Sequence, residues 1–167
     1  MLYIIIIFGL VAVVLVVLAI LKAKLAGSGA KAGVYYLKKS LFTPAERSFL
    51  GVLEPVLPPG VRVFGKVRLE DIFGVVKGLN ASERQSARNR INRKHVDFLL
   101  VRATDLAPIA GIELDDSSHE EEERQERDAF VDSAFASASL PLLHVAVQQS
   151  YKPADVKAKV ASLFSTT

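Results

Sequence analysis

Lys94-His95-Val96-Asp97-Phe98-Leu99-Leu100-Val101 and Pro108-Ile109-Ala110-Gly111-Ile112-Glu113-Leu114-Asp115 are two short apolar runs, each interrupted by a carboxylate. Apolar runs of this length, rich in β-branched and aromatic residues and bounded by turn residues, read as strands of a buried sheet. Asp97 and Glu113 therefore stand out, because carboxylates are rarely buried without a partner. Asp115 follows Glu113 by two residues, which places both on one face of a strand. Three carboxylates on adjoining strands would form a site for a hard cation such as Mg²⁺, which takes one or two carboxylates together with substrate phosphates. Solvated or Arg-bonded carboxylates at strand ends give the same spacing, and that structural alternative stands beside the metal site.

On the N-terminal side, Thr43-Pro44-Ala45-Glu46 has the form of a helix start, with Thr as N-cap, Pro in the first turn and Glu closing a capping box. Phe49, Leu50 and Leu53 give that helix an apolar face, and Pro55 with Pro58-Pro59-Gly60 ends it. Val61 and Val63 alternate with Arg62 and lead into Lys66-Val67-Arg68-Leu69, the first strand. Gly78 to Asn92 is polar and basic and reads as a loop or a short exposed helix. On the C-terminal side, Ser117 or Ser118 caps a long helix reaching about Ala138, with Phe130, Ala134, Phe135 and Ala138 as its apolar face. Leu142 to Val147 is a last strand and Ala154 to Phe164 a last helix. The expected fold is α/β, in the order helix, three strands, helix, strand, helix.

In front of this domain, Leu2 to Leu21 holds twenty residues without a charge or a proline. As a helix it would be roughly 30 Å long, the thickness of a bilayer core. No basic residue precedes the run, and it exceeds the apolar segment of a signal peptide, so an uncleaved transmembrane helix is expected. The expected organisation is an anchor over 1–22, a basic juxtamembrane linker over 23–40 and one domain over 41–167. Lys22, Lys24, Lys31, Lys38 and Lys39 follow the apolar run, and such an excess places the domain in the cytoplasm with the N-terminus outside, as in a bacterial inner membrane. The whole chain carries 21 basic and 18 acidic residues, a net +3. Those five lysines account for it, since no acidic residue precedes Glu46 and 16 basic residues face 18 acidic ones from Leu41 onward. The basic character thus belongs to a stripe suited to anionic membrane lipid, and does not by itself indicate nucleic-acid binding. Cysteine is absent, which excludes disulfides and Cys-based metal sites.

The segments Leu41-Phe42-Thr43-Pro44-Ala45-Glu46-Arg47-Ser48-Phe49, Lys66-Val67-Arg68-Leu69, Lys94-His95-Val96-Asp97-Phe98 and Ile112-Glu113-Leu114-Asp115-Asp116-Ser117-Ser118-His119 together resemble the domain-of-unknown-function family 2726. Arg124-Gln125-Glu126-Arg127-Asp128 and Leu140-Pro141-Leu142 extend the resemblance, which covers about residues 36–147. That family is similar to the PD-(D/E)XK restriction-endonuclease-like superfamily, in which a first-helix Glu, a strand Asp and a Glu-x-Lys motif surround Mg²⁺ and activate water against a phosphodiester. The resemblance implies Glu46 as the helix acid, Asp97 as principal metal ligand and Glu113 as the second, in metal-assisted hydrolysis of DNA or RNA. Asp115 stands where the motif has Lys, and cannot supply a positive charge; it would be a third metal ligand or mark an inactive site. His119 and Lys94 are the candidates to replace the missing cation or to move protons.

Arg127 is a further candidate, able to hold Glu113 or a phosphate bidentately, and Arg93 belongs to a cluster with Arg84, Arg88, Arg90 and Lys94 that suits phosphate. The same cluster fits an exposed polar loop. Glu120 with Arg124 and Glu123 with Arg127 have the spacing of a solvated helix face. His144 and His95 read as strand residues facing solvent or a core partner. No Gly-rich phosphate loop, nucleophile elbow or His-Glu-x-x-His occurs, which argues against nucleotide hydrolases, serine hydrolases and zinc peptidases. Two functions remain: a membrane-tethered, Mg²⁺-dependent nuclease-like enzyme, or a catalytically inactive binding or scaffold module of the same fold.

Overall fold

The computed structural model describes residues 2–26, 34–115 and 122–164. The chain divides into two compact units, Met1–Leu41 and Phe42–Thr167.

The first unit holds helix α1, Leu2–Ala26, whose 25 residues extend five beyond the expected end and reach about 37 Å at 1.5 Å per residue. Among the described residues no helix is long and apolar enough to cross a membrane. In α1 the described side chains are Tyr3 and those of residues 6–22, all exposed, while the helical backbone runs on to Ala26. Irregular chain with bends runs over 34–41, with Tyr35, Tyr36 and Leu37 exposed.

The second unit is a mixed α/β domain. Helix α2 spans Pro44–Val56 and strand β1 Val61–Arg68, followed by short helix α3, Leu69–Ile72, and α4, Ala81–Ile91. Strand β2 is His95–Arg102, β3 Pro108–Asp115, helix α5 Glu122–Ser137, β4 Leu142–Ala146 and α6 Pro153–Ser162. The expected element order holds, with α3 and α4 inserted between the first two strands. The strands form one sheet in the order β1-β2-β3-β4, antiparallel between the first three and parallel between β3 and β4. A parallel partner needs a crossover, and α5 provides it.

Local chemistry sets these elements. The Thr43 side chain accepts from the Glu46 backbone N–H, while Glu46 Oε2 accepts from the Thr43 N–H at 2.9 Å, completing the capping box. Pro55 lies in the last turn of α2, where the helix stops one residue later. Val61 N–H then donates to the Pro58 carbonyl, with Gly60 at φ +82° in the turn position that favours glycine. Asn80 and Glu83 form a second capping box, which makes Ala81–Ile91 a helix rather than a loop.

Two apolar layers enclose the sheet. Phe49 and Leu53 of α2, with Val156 and Val160 of α6, pack against Phe98, Leu100, Ile112 and Val145. Val131 and Phe135 of α5, with Leu69 and Ile91, pack against Val96, Leu99 and Val101. Each large apolar side chain removed from water in this way contributes about 1.5–3 kcal/mol. Ala138, expected on the apolar face of this helix, lies one residue past α5 and is exposed, while Val131 of α5 is in the core.

The layers also reveal a break in alternation. In β1, Val61 and Val63 pack on the α2 side but Val67 on the α5 side; in β2, Phe98 and Leu100 pack on the α2 side but Val96 on the α5 side. Both strands change face between Gly65–Val67 and Val96–Phe98, where Lys66 and Asp97 lie opposite each other between paired residues. Lys66 has φ +56°. A non-glycine residue there costs about 1–2 kcal/mol, which surrounding contacts must offset.

Candidate functional site

Those contacts are two carboxylates. Lys66 Nζ lies 2.6 Å from Glu46 Oε1 and 2.8 Å from Asp97 Oδ1, so one ammonium bridges α2 and β2 from its position in β1. The three side chains are only 21%, 11% and 13% exposed for Lys66, Glu46 and Asp97, so water screens the ions weakly. Each carboxylate is also tied to backbone. Glu46 Oε2 holds the N-cap of α2, and Asp97 Oδ2 accepts from the Leu114 N–H at 3.1 Å. The paired positions of β2 and β3 end at Phe98 opposite Ile112, and the Asp97 side chain satisfies the next donor in β3. Burial works to lower the Lys66 pKa, but hydrogen bonds and charge from Asp97 and Glu46 outweigh it and hold the ammonium above its ordinary 10.5.

Glu46 and Asp97 are thus brought together by Lys66. Lys66 was legible only as a polar residue within the first strand. Its long side chain reaches the carboxylates because the backbone turns at its own position.

Asp115 belongs to a different cluster. His144 in β4 places Nδ1 at 3.0 and 3.1 Å from the two Asp115 oxygens, and Nε2 at 2.9 Å from Asp132 Oδ1 on α5. A neutral imidazole has one donor, whereas an imidazolium has two, so a carboxylate at each ring nitrogen favours the charged form. Burial tends to lower the His144 pKa, and the bonds and charges of Asp115 and Asp132 raise it above the ordinary 6.5 on balance. His144 is therefore an ion-pair residue joining β3, β4 and α5, with a half-exposed ring. Glu113 stands opposite His144 in the β3–β4 register.

The other sequence candidates are dispersed. Lys94 Nζ lies 5.1 Å from the centre of the Phe130 ring. Arg93 is exposed. His119, the Ser117 and Ser118 caps and Glu120 lie outside the described residues, as do the side chains of Glu123, Arg124 and Arg127.

For Mg²⁺, two of the three expected carboxylate ligands, Asp97 and Asp115, are already engaged by cationic side chains. The ion requires near-octahedral oxygen ligands at about 2.0–2.1 Å. The space between Glu46 Oε1 and Asp97 Oδ1 is taken by Lys66 Nζ, and both Asp115 oxygens face His144. Among the described residues no group of three or more His, Cys, Asp or Glu side chains is disposed to hold a metal.

Fold and site together define a mixed α/β domain of two helical layers on a four-stranded sheet, with an internal carboxylate–ammonium–carboxylate bridge where its first two strands change face. The chain belongs to the family described as protein of unknown function (DUF2726), whose sequence model matches residues 38–163. The match takes in α6, beyond the segments that carried the resemblance in sequence. No curated protein and no solved structure matches the chain.

Proposed function

We propose that the chain is a membrane-tethered, nuclease-like module that binds nucleic acid at the cytoplasmic face without hydrolysing it. The observation that carries this reading is Lys66 Nζ between Glu46 Oε1 and Asp97 Oδ1, 2.6 and 2.8 Å away, a built-in cation at the carboxylates a nuclease would give to Mg²⁺. The helix–three strands–helix–strand order, with β4 parallel to β3, supports the restriction-endonuclease-like layout. The tether and its orientation rest on the sequence, on the charge-free apolar run Leu2–Leu21 and the lysines that follow it.

The second reading, Mg²⁺-dependent hydrolysis using Asp97 and Glu113, is favoured by the Asp97–Leu114 bond, which holds the β2 carboxylate against the backbone beside Glu113. The two readings separate in one assay. The full-length protein in detergent micelles is incubated with supercoiled plasmid or single-stranded RNA and millimolar Mg²⁺ or Mn²⁺, beside Asp97→Asn and Glu113→Gln. The proposal expects a mobility shift and no cleavage above the level of the variants. Cleavage by the parent protein that both substitutions abolish overturns it.

A further inference from the structure

Helix α4 contributes a single buried side chain, Ile91, and its other residues are exposed or half-buried polar and small ones. Packing therefore does not account for its composition. From Gly78 to Lys94 the chain carries Arg84, Arg88, Arg90, Arg93 and Lys94 against one acid, Glu83, and the Glu83 carboxylate is engaged in the N-terminal capping box. Among the described residues none of the five cations has a carboxylate partner within ion-pair distance, in contrast to Arg68 with Asp71 and Arg102 with Asp105. Arg88 and Arg90 suit the helix dipole, but Arg84 in the first turn does not. Arg90 and Lys94 both sit over the Phe130 ring, at 4.6 and 5.1 Å from its centre. One aromatic ring thus makes cation–π contact with both charges.

From this surface we infer that α4 and the turn into β2 form the nucleic-acid-binding face of the domain, engaging the phosphate backbone without base readout. The inference rests on the nucleic-acid-binding reading given above and names the surface responsible. A membrane-surface helix needs an exposed apolar face to bury, and the one large apolar residue of α4 is turned into the core. A protein partner would be expected to meet aromatic or aliphatic anchors at the centre of the patch, which α4 also lacks. Exposed guanidinium groups that have no carboxylate partner among the described residues suit phosphate, where binding arises from counterion release. The patch adjoins the lysine bridge: the Lys94 carbonyl accepts from the Leu69 N–H at 2.9 Å, joining the end of β1 to the start of β2, three residues from both Lys66 and Asp97.

The test compares two triple variants of the full-length protein in phosphatidylcholine nanodiscs, Arg88→Gln/Arg90→Gln/Arg93→Gln and Lys152→Gln/Lys157→Gln/Lys159→Gln. Both remove three exposed positive charges, the second set from α6 and the residue before it. Binding of a fluorescein-labelled 30-base-pair DNA duplex is followed by anisotropy over a salt series. With each lost phosphate contact worth about 0.9 in the slope of log K against log salt, the α4 variant is expected to lose about 2.7 in slope and, referred to 1 M salt, about five hundredfold in affinity near 0.1 M salt. The α6 variant is expected to keep the parent slope. Equal losses in both variants mean that net charge alone is sensed and overturn the inference. So does parent-like DNA binding by the α4 variant, including when it loses affinity for phosphatidylserine vesicles, which would make α4 a lipid surface. If the parent protein shows no DNA binding, the nucleic-acid reading fails and takes this surface with it.

Discussion

Replacing Lys66 with Met keeps an unbranched side chain one atom shorter and removes its charge, which leaves Glu46 and Asp97 facing each other without the ammonium between them. Breaking a buried ion pair by removing one partner costs about 3–5 kcal/mol, because the remaining charge stays desolvated. Here the carboxylate side chains retain 11% and 13% exposure and each keeps a backbone donor, which places the cost at the lower end, about 3 kcal/mol. Partial relief of positive-φ strain does not follow, since Met is no better suited than Lys to φ +56°. At about 3–5 °C per kcal/mol for a domain of this size, the melting temperature should fall by about 10 °C. The more telling readout is its response to metal. With the ammonium gone, the two carboxylates offer a divalent cation the place Lys66 held. An ion at one hundred times its dissociation constant restores about 2.7 kcal/mol. Thermal unfolding of full-length parent and Lys66→Met protein in micelles, each with and without 10 mM Mg²⁺ or Mn²⁺, should therefore show recovery in the variant and no shift in the parent. A parent protein stabilised by metal as strongly as the variant would refute the reasoning, as would a Lys66→Met protein that melts with the parent.

His144→Gln removes a cation held by Asp115 and Asp132, whose folded pKa lies above the ordinary 6.5. The stabilisation from that raised value is complete below about pH 6.5 and is lost as pH rises through the folded pKa, so urea midpoints of parent and variant should differ most near pH 5.5 and converge toward alkaline pH; a difference that grows with pH would contradict the ion-pair role. Gly65→Ala would set a Cβ against the Phe42 ring, with Cε1 at 2.5 Å, and overpacking of this kind costs about 1–3 kcal/mol. Adding Phe42→Leu should recover part of that loss in a double-mutant cycle, whereas strictly additive losses would mean that the two positions do not meet.

Much of this protein was decided by local sequence. Thr43, Pro44 and Glu46 set the start of α2 by satisfying backbone donors within four residues, and the apolar runs around Asp97 and Glu113 could lie only in a buried sheet. The charge-free run from Leu2 and the lysines after it were equally legible, since composition and order carry that information. The helix over Ala81–Ile91 was half legible: its Asn80–Glu83 box is a local signal, but an exposed helix has little apolar periodicity to reveal it. Tertiary structure alone decided the partners of the charges. Lys66 meets Glu46 and Asp97 across sequence separations of 20 and 31 residues, and only because both strands change face at that point. Asp115 shares its strand face with Glu113 by alternation, yet its carboxylate pairs with His144 because β4 returns parallel beside β3 and brings an imidazole into reach. Residue type fixes which charges must find partners, because burying an ion alone is too costly. Which partner each one finds depends on the path of the chain, and the residue at positive φ is the one whose ammonium joins Glu46 to Asp97.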